Sequence, residues 1–219
     1  MSTYDKIWKQ EKPAQRYKTS ISDHVLRLFY TIKAQRILDI GAGDGTNIMF
    51  LAKEGFQPYG LEISKEGVRK SRKNARQENC LVHIIEGDMF DPLPYKDGFF
   101  DAVYSYQTIN HGELHDIQNL LKEIHRVLRS GGIFSVKTIE RTSFRAKKSG
   151  KDVYIDEEGG KRYRMIDKYT FVPMQGEEKG LAHYFFSEAQ LKREVCKLGF
   201  RCLDSKVAER YIIQNYKKK

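Results

Sequence analysis

The stretch ILDIGAGDGTN, Ile37 to Asn47, decides the reading of this chain. A β-rich run, Arg36–Ile40, stops at Gly41, and from Gly45 an apolar helical segment with Ile48, Met49, Leu51 and Ala52 runs to Gly55. Glycines at such a junction let the backbone turn sharply and let a ligand approach the main chain. The start of the following helix supplies N–H donors that no helical carbonyl can take. A tight strand–helix connection that holds no ligand is the plainer alternative.

Working outward, the same rhythm repeats. A strand around Pro58–Glu62 precedes a helix opened by Ser64, and Leu81–Ile85 reads as a continuous apolar strand covered on both faces. Phe100–Tyr104 is the next strand. Helix 113–129 carries Leu114, Ile117, Leu120, Leu121, Ile124 and Leu128 at helical spacing, ends at Gly131-Gly132, and leads into Ile133–Lys137. Upstream, Ile21, Val25, Leu28, Phe29 and Ile32 share one face of a helix over 20–33, with Ser20 or Ser22 as N-cap. Strands alternating with helices in this way predict a doubly wound α/β fold.

Beyond Thr138 the alternation breaks into a polar, glycine-containing segment, 139–180. A stretch this long is either functional or carries a small structure of its own. The rhythm resumes at Leu181–Phe186, with a helix capped by Ser187 and two final strands, Phe200–Val207 and Arg210–Tyr216. The expected architecture is a mostly parallel, seven-stranded sheet with helices on both faces and an antiparallel C-terminal hairpin. One domain, 1–219, is expected, with an N-terminal helical cap (1–34) and an insertion (139–182).

Composition narrows the class. Of 219 residues, 40% are hydrophobic, enough for a sizeable core, and no apolar run approaches the roughly 18 residues of a membrane span. The N-terminus has no apolar signal region, so a cytoplasmic protein without membrane attachment is expected. Cys80, Cys196 and Cys202 form no C-x-x-C pair, and neither a disulfide frame nor a metal site is expected. The net charge of +10 permits a polyanionic partner without requiring one.

Twenty-one residues past Gly41, Glu62 stands where doubly wound nucleotide folds put a carboxylate for ribose hydroxyls. The glycine spacing is G-x-G-x-G, neither the dinucleotide fingerprint nor a P-loop. Asp39 and Asp44 would repel a pyrophosphate. They suit a ligand with a positive centre and an amine, such as an adenosine bearing a sulfonium and an amino-acid tail.

From about residue 36 onward the chain resembles class I S-adenosylmethionine-dependent methyltransferases. The resemblance rests on the glycine turn, on Glu62, and on Asp88 with Met89 after the third strand. It rests also on the segments LPYKDGFFDAVYS (93–105), LKEIHRVLRSGG (121–132) and HYFFSEAQLKREVCKLGF (183–200). It implies S-adenosyl-L-methionine as cofactor and S-adenosyl-L-homocysteine as product. The cofactor residues implied are Asp39, Gly41, Ala42, Gly43, Glu62, Ile63, Asp88, Met89, Tyr104 and Tyr106, with Asp88 accepting from the adenine amine. Asp39 is read equally well as a group bracing the loop amides.

A general base is needed only if the acceptor loses a proton. His111, after the fourth strand, is the leading choice, and a capping role at helix 113–129 is its alternative. His183 is a second choice. Tyr4, Trp8 and Tyr17 belong to an aromatic N-terminal segment that either closes over the cofactor or packs on the sheet flank. Arg141, Arg145, Lys147, Lys148, Arg162, Arg164, Tyr163, Tyr169 and Phe171 of the insertion either grip an anionic or aromatic acceptor or lie on a solvated loop. Lys65, Arg69, Arg72, Lys73 and Arg76 share one helix face, which suits a phosphate backbone or simply solvent. A small-molecule acceptor is the expected partner. RNA methylation is the alternative, and a non-catalytic cofactor-binding protein is the third possibility.

Overall fold

The computed structural model describes Asp5, residues 19–157 and residues 160–219. Strand β1 (Arg36–Ile40) is central. It pairs in parallel with β2 (Gln57–Glu62) and with β4 (Phe100–Tyr106), so that Asp39 stands beside Gly60 on one side and Tyr104 on the other. Beyond β2 lies β3 (His83–Glu86), and beyond β4 lies β5 (Leu128–Ile139). The chain ends in the antiparallel hairpin β11 (Phe200–Ala208) and β12 (Tyr211–Lys218), with β12 laid antiparallel on β5. The sheet order is β11-β12-β5-β4-β1-β2-β3, the expected seven-stranded, mostly parallel sheet.

Alternation along β1 sends successive side chains to opposite faces. Leu38 and Ile40 join the core formed with helices α4 (Leu114–Val127) and α5 (Glu188–Cys196). Ile37 joins Ala102, Tyr104 and Ile133 under helix α1 (Asp23–Thr31), which Ser22 caps. Helices α2 (Thr46–Lys53) and α3 (Lys65–Gln77) enclose a smaller cluster with Ala42, Ile48, Val68 and Ile84.

Three expectations are corrected. Leu81 lies before β3 and is 80% exposed, and only Ile84 of that strand is buried, because β3 is the edge of the sheet. The helix expected over 113–129 ends at Val127. Leu128 already pairs with Phe100, and a register shift carries the strand past Gly131-Gly132. The strand expected at Leu181–Phe186 is the short β10 (His183–Tyr184), and it pairs with β9 (Thr170–Pro173) rather than joining the main sheet.

That pairing belongs to a second, antiparallel sheet of order β10-β9-β8-β7-β6, built from the insertion. Its other strands are β6 (Ala146–Gly150), β7 (Val153–Asp156), β8 (Arg162–Met165) and β9 (Thr170–Pro173). Phe144, Phe171 and Phe185 pack their rings 4.4 to 5.3 Å apart at its base. The insertion leaves and returns at adjacent points: Glu140 bridges Phe186, and the Arg141 N–H donates to the Phe186 carbonyl at 2.7 Å.

Candidate cofactor and acceptor site

The glycine turn after β1 is held from below. The N–H groups of Gly41 and Ala42 donate to the Leu61 carbonyl, and the Gly43 N–H donates to Glu62 Oε2 at 2.9 Å. Gly41 has φ +84°, and a Cβ there would stand 2.3 Å from Thr108 Oγ1, so glycine is required by both backbone and space. Asp44 caps the first turn of α2, accepting from the Thr46 N–H and hydroxyl. Its carboxylate is thereby engaged in the helix start.

Glu62 is buried. Besides Gly43, its Oε1 accepts from the Ser64 N–H at 2.8 Å. Burial raises its pKa, against the pull of the Ser64, Gly43 and Ile63 backbone donors. Asp5 sits one step further along, accepting from Ser64 Oγ and the Glu66 N–H at the start of α3. Tyr4, Trp8 and Tyr17 lie outside the described residues.

Above the turn opens a cavity of about 580 Å³ at the carboxyl ends of β1, β2 and β4. That is the crevice where the strand order reverses and open α/β sheets bind ligands. Gly41, Ala42, Gly43, Glu62, Ile63, Asp88, Met89 and Tyr106 all line it. Asp88 also accepts from the Phe90 N–H at 2.9 Å. Tyr106 hydrogen-bonds Ser135, and burial pushes its phenol up to about 12.

Asp39 and Tyr104 do not line the cavity. Both are buried beneath the turn, with the Tyr104 hydroxyl beside the Asp39 carboxyl. Burial pushes the Asp39 carboxyl up to about 7, opposed by the Tyr104 hydroxyl and reinforced by the charge of Glu62. A buried carboxyl under a glycine turn, with Glu62 and Asp88 at the neighbouring strand ends, fits a ligand that combines ribose hydroxyls, an amine and a positive charge.

A second cavity, of about 470 Å³, adjoins the first and shares Gln107, His111 and Glu178 with it. Arg145, Lys161, Tyr163 and Arg210 lie along its far wall, and His183 closes one side. Lys147, Lys148, Arg162 and Arg164 are exposed on the second sheet and do not reach it, whereas Phe171 is core. Arg141 stacks on Phe171 and donates to the Lys168 carbonyl, while Tyr169 packs on Tyr184. Burial pushes the His111 imidazole down to about 4, with neighbouring His183 adding and Glu178 opposing.

Gln107 and Thr108, in the run after the fourth strand where the sequence places the chemistry, line the first cavity. Sequence reasoning missed Glu178, Leu181 and Phe90. Glu178 lies in the polar turn GEEKG, where no periodicity or spacing marks it. Among the described residues, no helix is long and apolar enough to cross a membrane.

Sheet order, glycine turn and strand-end carboxylates together define a class I S-adenosylmethionine-dependent methyltransferase fold. Residues 38–136 match the methyltransferase-domain family model. The chain is 35% identical over 101 residues to a sarcosine/dimethylglycine N-methyltransferase of Halorhodospira halochloris, covering 45% of this chain and 35% of the relative. It spans about half the length, or less, of the first curated relatives it matches. Among solved structures, the PH0226 protein of Pyrococcus horikoshii superposes with a TM-score of 0.69 at 23% identity, over 94% of this chain and 92% of that one. The Burkholderia thailandensis 1,6-didemethyltoxoflavin-N1-methyltransferase, solved with 1,6-didemethyltoxoflavin and S-adenosylhomocysteine, does so with 0.64 at 16% identity, over 89% and 76%.

Proposed function

We propose that this chain is an S-adenosylmethionine-dependent methyltransferase acting on a small molecule. The observation that carries the reading is the pair of adjoining cavities meeting at Gln107, His111 and Glu178. The first has the donors and carboxylates for the cofactor. The second, within the size range of small-molecule sites, receives the acceptor. The relative named as acting on sarcosine and dimethylglycine, and the neighbour solved with a small heterocycle, support an acceptor of that scale.

S-adenosylmethionine supplies a sulfonium-bound methyl group, which an in-line nucleophile displaces. The protein's share is alignment. Glu62 holds the ribose hydroxyls, Asp88 the adenine amine with Met89 flanking the ring, and Asp39 sets a negative field under the turn. His111 presents a neutral imidazole at the junction, where the acceptor's reacting atom lies. The charged lining of the second cavity, Arg145, Lys161 and Arg210 together with Asp156 and Glu178, favours a polar acceptor.

The exposed basic face of α3 is less suited to nucleic acid. Arg69 is paired with Glu66 at 2.6 Å, and Arg72 donates to the Ile84 carbonyl. The deciding experiment supplies methyl-labelled S-adenosylmethionine and desalted enzyme to a cell extract and fractionates the products. Label in the small-molecule fraction is expected. Label removed by RNase would transfer the reading to RNA. Absence of label despite measured cofactor binding would leave a non-catalytic binding protein.

A further inference from the structure

We propose that His111, Glu178 and His183 form a binding site for a divalent transition-metal cation at the junction of the two cavities. Among the described residues, one ligand atom from each of these side chains comes within 4.8 Å of the others. His183 Nε2 stands 3.5 Å from Glu178 Oε2, and His111 Nε2 stands 3.9 Å from Glu178 Oε1. A tetrahedral cation with bonds of about 2.0–2.1 Å needs its ligands roughly 3.3 Å apart. The two distances run to different oxygens of Glu178, and the three ligand atoms, within 4.8 Å of one another, stand wider than a bound cation would hold them. Glu178, on the polar turn between β9 and β10, and His111, on the turn after β4, both lie outside helix and strand.

The hydrogen bonding around His183 is the stronger argument. Its Nδ1 lies 3.0 Å from the Leu181 carbonyl, which can only accept, so Nδ1 carries the hydrogen. Nε2 then faces the half-exposed Glu178 carboxylate at 3.5 Å, where either a proton or a bound cation can sit between them. A histidine whose outer nitrogen donates to a backbone carbonyl while its inner nitrogen faces a carboxylate has the arrangement of a metal ligand with its outer partner in place. The backbone holds the two rings in register: the Tyr184 N–H donates to the Asn110 carbonyl at 2.8 Å, tying the His111 loop to β10. The imidazole centroids are 4.8 Å apart, close to perpendicular.

Two imidazole nitrogens and one carboxylate select a zinc-, cobalt-, nickel-, manganese- or iron-like ion over magnesium or calcium, which prefer all-oxygen sets. Three protein ligands leave open positions, as in sites that bind a substrate atom. Here His111 and Glu178 line both cavities, so an open position faces the acceptor. On the reading of the second cavity as the acceptor pocket, on which this last point rests, the acceptor carries an oxygen or nitrogen able to complete the coordination sphere. The sequence reading weighs only the cysteines for a metal site, whereas these ligands stand at positions 111, 178 and 183, on two turns and a strand.

The test uses tag-free protein stripped with a chelator and titrated with Zn²⁺ alone, then with Co²⁺ read by its visible absorption. One equivalent is expected, with no competition from Mg²⁺. His183→Ala and Glu178→Gln are each expected to weaken uptake by about tenfold or more, since even outer partners of metal ligands carry that much affinity. S-adenosylhomocysteine binding to the His183→Ala protein verifies its fold, because His183 lines only the second cavity. The conservative Glu178→Gln change serves as the second variant. No uptake at one equivalent, or uptake that neither variant alters, overturns the proposal. Uptake abolished by the variants supports it whether or not a methylated small molecule is found. Full turnover by stripped enzyme that takes up no cation overturns it while leaving the methyltransferase reading intact, with His111 then acting as a base.

Discussion

At the residue scale, two carboxylates near the glycine turn have different tasks. Glu62 lines the first cavity, and on the proposed reading Glu62→Ala removes charge-assisted hydrogen bonds to the ribose. A loss of about 1.5–3 kcal/mol is expected, roughly a tenfold to hundredfold rise in the dissociation constant. Calorimetric titration with S-adenosylhomocysteine checks it, and an unchanged constant would remove Glu62 from the cofactor's contacts. Asp39 is read through stability. Its carboxyl has an ordinary value of 3.8 and is pushed up to about 7 by burial in the folded protein. Below the ordinary value it is protonated whether folded or unfolded and costs nothing. Between there and about 7 only the unfolded chain ionises, so rising pH favours unfolding; above about 7 the cost is complete. Asp39→Asn has no such slope. In the cofactor-free proteins, the melting temperature of the variant should gain on the wild type as pH rises from 4 to 8, and parallel curves would refute the assignment.

At the element scale, helix α4 does more than cover the sheet. Arg126 near its end donates to the Leu93 and Tyr95 carbonyls and pairs with Glu123 and Asp97, which clamps the loop after the cofactor-lining segment 87–90 onto the helix. Glu123 also accepts from the Leu93 N–H. Arg126→Ala leaves those carbonyls short of donors and should cost about 2 kcal/mol, a fall in melting temperature of roughly 4–8 °C for a chain of this size. Arg126→Lys should recover little, because a single ammonium cannot reproduce the guanidinium fork. Recovery of the wild-type melting temperature by lysine would show that charge alone matters. Elements such as α4 and β1 were legible in the sequence because a buried face imposes its period on the chain. Strand β3 misled because its apolar run, Leu81 to Ile85, lies partly outside the strand and at a sheet edge. The second sheet was not legible: strands such as β6, Ala146–Gly150, are mostly exposed, so burial leaves no periodic mark on them. The candidate site divides in the same way. Its cofactor half follows from glycines and carboxylates at fixed offsets from one strand. Its acceptor half depends on Glu178 and His183, which only the return path of the insertion brings to His111.

At the scale of the whole molecule, the proposed acceptor pocket hangs on the insertion, and on that reading the insertion is separable from the rest. Its two ends meet at Glu140 and Phe186, while the lining of the cofactor cavity comes almost wholly from residues 41–111. The insertion's own strands pair only with one another, and the main sheet is complete without them. Function carried on a segment hung from a rigid scaffold is separable from the scaffold's own binding. Replacing 145–181 by a short glycine–serine linker keeps Phe144 and Phe185, which already pack together, and retains the buried Tyr184. It removes Glu178 and the basic residues Arg145 and Lys161. The shortened protein should unfold in one cooperative transition and bind S-adenosylhomocysteine with little change in affinity. It should transfer no methyl group to the small-molecule fraction, and it should take up no divalent cation. Calorimetry, a labelled-methyl assay and metal titration on the one variant read these outcomes separately. Retained turnover would place the acceptor somewhere other than the second cavity. Lost cofactor binding in a folded protein would mean that the insertion completes the first cavity as well, through the contacts of Glu178 and Leu181.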